Sequence, residues 1–189
     1  MSEIANQVDI SKATLLGGWM SPVELTWLAT KAQDIKIMVE FGSFHGRSAR
    51  ALADNCLADA KIYCVDPWNG EYWDDNGRKV ENVDTYVLPY FKRNLFDHIN
   101  SGRVITCRGF SYLFELPKGI KADMVFLDGD HRYPTVIKDI DKAKKLLKPN
   151  GLMCGHDYGH PLWWGVKKAV DENLTDVQTL DTIWWTRKF

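Results

Sequence analysis

The sequence predicts an α/β protein: a seven-stranded, mostly parallel sheet with helices on both faces and an antiparallel hairpin at its C-terminal end. Three observations point to this class. Short β-branched, apolar runs alternate with stretches of helical period, the pattern of βαβ units. Their apolar character suits strands covered on both faces, as parallel strands are. The last two runs, near 176–180 and 182–188, are joined by a very short connection around Asp181. A parallel crossover takes a dozen or more residues, so this pair is antiparallel.

The elements follow in order. Ser21-Pro22 with Glu24 reads as a cap, a first-turn proline and an early acid, opening a helix to about Gln33. The first strand is 35–42 and ends at Gly42; a helix follows over roughly 47–57, and the second strand, 61–66, ends at Asp66. Residues 69–82 are polar, contain two Asn-Gly pairs and read as a loop. A helix over 83–99, a third strand over 103–109 and a fourth over 122–128 come next. In the helix beginning near Pro134, Val136, Ile140, Ala143 and Leu147 share one face, and Pro149 and Gly151 stop it. Its lysines, Lys138 to Lys148, read as a solvated face. The fifth strand is 151–157, and a last helix spans about 165–173.

One domain is expected over residues 1–189, with 1–34 an N-terminal helical or lid segment and 35–189 the ligand-binding core. The composition, 45% hydrophobic and 26% charged, is globular. A formal net charge of −1 gives no electrostatic reason for a nucleic-acid or membrane partner. No apolar run reaches the length of a membrane span, and a cytoplasmic location is expected. The four cysteines have no metal-ligand spacing; Cys64, Cys107 and Cys154 sit in strand-like runs as small hydrophobes.

Open α/β sheets bind ligands beyond the carboxyl ends of their strands, so the strand exits carry the functional reading. After the first strand comes EFGSFHGRS, where Gly42 and Gly46 allow a tight turn and close approach of a ligand. The G-x-G-x-x-G fingerprint of dinucleotide enzymes is absent. The stretch VEFGSFHGRSA resembles the first motif of class I S-adenosylmethionine-dependent methyltransferases, which have a Rossmann-like sheet. The resemblance is closest to the small-molecule O-methyltransferases that act on catechols, sugars and antibiotics, and it covers roughly residues 35–170.

That resemblance implies a set of cofactor contacts. Glu40 and Gly42 lie beside the methionine moiety, with Ser43 and Phe44 lining it and Ser48 at the helix start near its carboxylate. Asp66 is expected on the ribose, Trp68 on the adenine or simply over the loop, and Ser111 of GFSY at the adenine edge. Asp128, at the exit of the fourth strand, borders both cofactor and metal.

In the metal-dependent members an acid after the fourth strand and two oxygen ligands after the fifth hold magnesium; here the positions are Asp128, His156 and Asp157. His156 departs from that pattern, because imidazole suits zinc, iron, manganese or nickel better than magnesium. Three readings stay open: magnesium on Asp128 and Asp157 with water, a softer metal, or His156 as a base without metal. In D-G-D-H, Asp130 is the first candidate catalytic base and His131 the second.

The expected function is methyl transfer from S-adenosylmethionine to a hydroxyl of a small molecule (a sugar, polyol or phenol), assisted by a divalent metal. The alternatives are an NAD(P)-dependent oxidoreductase and a non-catalytic cofactor-binding protein. Residues 1–20 and 69–82, with Trp19, Tyr72 and Trp73, are the candidate acceptor walls. A homo-oligomer would complete such a pocket, though no sequence feature marks one.

Overall fold

A computed structural model describes residues 7–69, 71–73, 79–82 and 87–189. A short helix α1 (Ser11–Thr14) leads to α2 (Pro22–Ala32). The start of α2 is fixed as its sequence requires. Ser21 Oγ accepts from the Glu24 amide, Glu24 returns the bond to the Ser21 amide, and Pro22 fills the first turn.

Then come β1 (Ile37–Phe41), α3 (Arg47–Asn55), β2 (Lys61–Asp66), β3 (Glu71–Trp73) and β4 (Lys79–Asn82). The middle of the chain holds α4 (Val87–Asn94), α5 (Phe96–Asn100), β5 (Val104–Arg108), a 3-10 turn at Ser111–Leu113 and β6 (Ala122–Leu127). The chain closes with α6 (Tyr133–Leu146), β7 (Leu147–Gly155), α7 (Trp164–Asn173), β8 (Gln178–Leu180) and β9 (Ile183–Thr186).

The seven-stranded sheet has the order β5-β2-β1-β6-β7-β9-β8. The pairs from β5 to β7 are parallel, while β9 runs antiparallel to both β7 and β8. This is the expected fold class. Strand side chains alternate with period two into two cores. Met38, Met124 and Phe126 pack toward α2 and α3, and Val39, Phe41, Val125 and Leu127 pack toward α6 and α7.

Two expectations need correction. Residues 69–82 are not simply a loop: β3 and β4 pair antiparallel, with a bulge between Tyr72 and Trp73. An Asn-Gly step between short β-forming runs is itself a hairpin signal, and the polar flanks hid it. The single helix expected over 83–99 is two helices that break at Leu95; residues 83–86 lie outside the described residues. At the break Asn94 offers its carbonyl to the buried Arg50 guanidinium at 3.1 Å.

The sheet order places the crossover between β1 and β6 in the middle, with β7 beside them. The exits of β1, β2, β6 and β7 therefore open onto one cleft.

Candidate active site

The cleft encloses about 1090 Å³ and is floored by the turn after β1. Gly42 has φ 85°, and a Cβ there would lie 2.0 Å from the Asp128 carbonyl oxygen, so no side chain fits. Its amide donates to the Val65 carbonyl at 2.9 Å, stitching the turn to the end of β2. Phe44, Trp68 and Asp157 also hold positive φ, at 43°, 45° and 61°, and all three line the cleft. Left-handed backbone at such residues is costly and concentrates at binding sites.

Glu40 lies beneath this turn. It is fully buried, accepting from Ser43 Oγ at 2.5 Å and Ser48 Oγ at 2.6 Å. Burial pushes its carboxyl up to about 7, against the lowering effect of the two serines. Among the described residues it braces the turn from below, while Gly42, Ser43, Phe44 and Ser48 reach the cleft wall. Asp66 accepts from the amides of Ser43 (2.8 Å), Phe44 (2.9 Å) and Trp68 (2.6 Å). Three of about four acceptor positions on that carboxylate are thus used. Burial raises its pKa, opposed by those amides. Trp68 is 5% exposed, donates to the Phe44 carbonyl at 3.0 Å and rests on Phe91. Ser111 lines the cleft and donates to Asp139, a residue the sequence reading missed. Asp139 is buried on α6, and burial lifts its carboxyl to about 7 despite the Ser111 bond. Its position on a helix with many polar residues gave no sign of this.

At the exits of β6 and β7 the ionisable groups converge. Asp128 Oδ1 lies 3.4 Å from His156 Nδ1 and 3.8 Å from His131 Nε2. Asp157 Oδ2 lies 3.3 Å from His156 Nδ1 and 2.7 Å from His131 Nε2. The His131 ring stacks on Trp163, centroids 4.7 Å apart. Burial alone would lower both histidines. The facing carboxylates outweigh it, raising His131 to about 9 and His156 well above the usual imidazole range. Asp157 is depressed in turn: burial would raise it, and the two imidazoles prevail.

The structure thus brings together the expected metal residues Asp128, His156 and Asp157, and adds His131. One donor atom each from Asp128, His131 and Asp157 falls within 4.8 Å of the others. Bonds of about 2.0–2.2 Å give neighbouring donors spaced roughly 3–3.5 Å apart, and the carboxylate–imidazole pairs here span 2.7 to 3.8 Å about that spacing. Asp130 is placed differently. Its carboxylate is gripped by the Arg132 guanidinium (Nε at 2.9 and 3.0 Å), the Arg132 amide at 3.0 Å and Thr135 Oγ1 at 3.2 Å. Held in this way, it orients the turn into α6.

The sequence reading also missed Glu24 and Arg47. Glu24 reaches the cleft from α2, where the capping pattern had accounted for it. Arg47 ties down the N-terminal segment, donating to the carbonyls of Thr14 (3.1 Å), Leu16 (2.5 Å) and Met20 (3.0 Å). Trp19 lies in this segment, 5.2 Å from the Phe44 ring, at the cleft wall as expected. The side chains of Tyr72 and Trp73 lie outside the described residues.

A parallel sheet with one reversed strand, and a cleft floored by a glycine turn at the central crossover, is the architecture of class I S-adenosylmethionine-dependent methyltransferases. The chain belongs to the methyltransferase-domain family, whose pattern matches residues 39–158. Protein R132 of Acanthamoeba polyphaga mimivirus is 28% identical over 153 residues, covering 79% of this chain. The chain spans only 64% of that curated relative's length. Among solved structures it is similar to the O-methyltransferase TomG of Streptomyces achromogenes, involved in tomaymycin synthesis and solved with S-adenosylmethionine. That match has 17% identity, 97% of this chain, 91% of that one and TM-score 0.66. It is also similar to an rRNA methylase from Streptococcus thermophilus, at 14% identity, 92% and 99% coverage and TM-score 0.59. At these identities the likeness is one of fold.

Proposed function

We propose that this chain methylates a hydroxyl group of a small sugar, polyol or phenol, using S-adenosylmethionine and a divalent cation. The observation that carries this reading is the convergence of Asp128, His131, His156 and Asp157 beside the Gly42 turn, on the wall of one cleft. S-adenosylmethionine supplies an electrophilic methyl group, and a divalent cation, when bound, makes an acceptor hydroxyl more acidic.

The chain's own residues do the rest. The Gly42–Phe44 turn lets a ligand approach the backbone, and the N-terminus of α3, which begins at Arg47, favours an anion there. Asp128 and Asp157 would hold the cation with the two imidazoles. His131 is cationic while both carboxylates face it, so it ligates only after giving up that proton. Two carboxylates with two imidazoles favour manganese, iron or zinc over magnesium, which prefers oxygen donors. Acids at this end of the cleft and a net charge of −1 favour a small acceptor over polyanionic RNA.

The test is S-adenosylhomocysteine release with panels of catechols, sugars and polyols and an rRNA transcript, each with manganese, magnesium or chelator. Turnover on small hydroxyl compounds that chelator abolishes is expected. Turnover on rRNA alone, or undiminished by chelator, would sink the acceptor or the metal half respectively.

A further inference from the structure

We infer that Glu24, on the N-terminal helix α2, is a positioning residue for the cation site and acts by orienting His156. This inference rests on the metal reading above.

His156 is 6% exposed, and its two ring nitrogens face different neighbours. Nδ1 is turned to Asp128 and Asp157, at 3.4 and 3.3 Å. Nε2 is turned away from them, 3.2 Å from Glu24 Oε2, with no aligned hydrogen bond among the described residues. Glu24 is 2% exposed and is itself held from three sides. Oε2 accepts from the Ser21 amide at 2.7 Å, and Oε1 accepts from the Thr182 amide and hydroxyl at 3.1 and 2.6 Å. A buried carboxylate fixed this firmly is a rigid abutment for the imidazole.

The arrangement assigns the atoms. Nδ1 is the ligating nitrogen, Nε2 carries the proton, and the carboxylate behind Nε2 sets the ring's tautomer and basicity. Carboxylate–histidine–metal pairs work in this way, and losing the outer carboxylate typically weakens metal binding 10- to 100-fold. Glu24 has a second consequence. Its other oxygen holds Thr182, at the turn into β9, so α2 and the C-terminal strand pair meet at the carboxylate that supports His156.

The test uses full-length protein stripped with chelator, titrated calorimetrically with manganese chloride and, separately, with S-adenosylhomocysteine. Glu24→Gln is compared with Thr182→Val, which removes the hydroxyl bond to Oε1 and leaves Oε2 facing His156. The expected result is manganese affinity reduced 10- to 100-fold by Glu24→Gln and within twofold of wild type for Thr182→Val, with S-adenosylhomocysteine affinity kept in both. Equal manganese affinity in Glu24→Gln and wild type overturns this inference alone, as does an equal loss in Thr182→Val. A wild-type chain that takes up no manganese or zinc overturns the metal reading and this inference with it. Should Glu24→Gln not fold, nitrogen NMR of zinc-loaded wild type decides. A proton on Nε2 of His156 is expected, and one on Nδ1 overturns the assignment.

Discussion

Gly42 is the most tightly confined of the glycines that line the cleft. Its positive φ and the 2.0 Å approach a Cβ would make to the Asp128 carbonyl act together. Gly42→Ala should therefore cost about 3 kcal/mol or more from strain and overpacking, read in chemical denaturation, and should abolish S-adenosylhomocysteine binding. A variant with unchanged midpoint and affinity would show that the turn can open. Asp139 tests the electrostatics of the same floor. Its folded pKa, about 7, lies above the ordinary 3.8, so the native chain holds a proton that the unfolded chain has lost. Stability from this group is then lost as pH rises from about 4 through 7, by at most about 1.4 kcal/mol per pH unit. Asp139→Asn should flatten that slope in pH-dependent denaturation, and an unaltered slope would mean that Asp139 ionises normally. Gly42 was legible in the sequence, because a glycine at a strand exit signals a close approach. Asp139 was not, because nothing local says that the Ser111 turn will fold over it.

At the scale of elements, Arg47 joins α3 to the segment 14–20 through three carbonyls. Burial lowers its pKa but leaves it a cation. Removing it strands three acceptors and frees the segment that carries Trp19. Arg47→Ala should make the 14–20 segment cleave several-fold faster in limited proteolysis and raise KM for the acceptor more than it lowers kcat. Cleavage at the wild-type rate would show that the segment holds without it. The strands were legible from their apolar runs, and α2 from its capping residues. The break at Leu95 and the β3–β4 pair were not, since the first depends on Arg50 reaching across from α3 and the second on pairing between weak, polar strands.

For the whole molecule, ligand binding and folding are linked. A ligand at 100 times its Kd stabilises the native state by about 2.7 kcal/mol. For a chain of 189 residues that corresponds to roughly 5–11 °C in Tm. Saturating S-adenosylhomocysteine should raise Tm by this order, and NAD(P) should not. A shift with NAD(P) alone would revive the oxidoreductase alternative. Among the described residues no helix is long and apolar enough to cross a membrane.

The sequence by itself determined the strand pattern, the antiparallel C-terminal pair, the Gly42 turn and the placement of Asp128, His156 and Asp157 at strand exits. All of these follow from periodicity, turn chemistry and chain length, which are local. Only the tertiary structure decided that Asp130 turns to Arg132 while His131 turns to Asp157, that Glu40 supports the turn from below, and that Glu24 stands behind His156. His131 and Glu24 find partners distant in sequence, supplied only when α2, β6, β7 and the turn before β9 are packed together, while Asp130 and Glu40 find theirs within eight residues, at turns whose backbone that packing fixes.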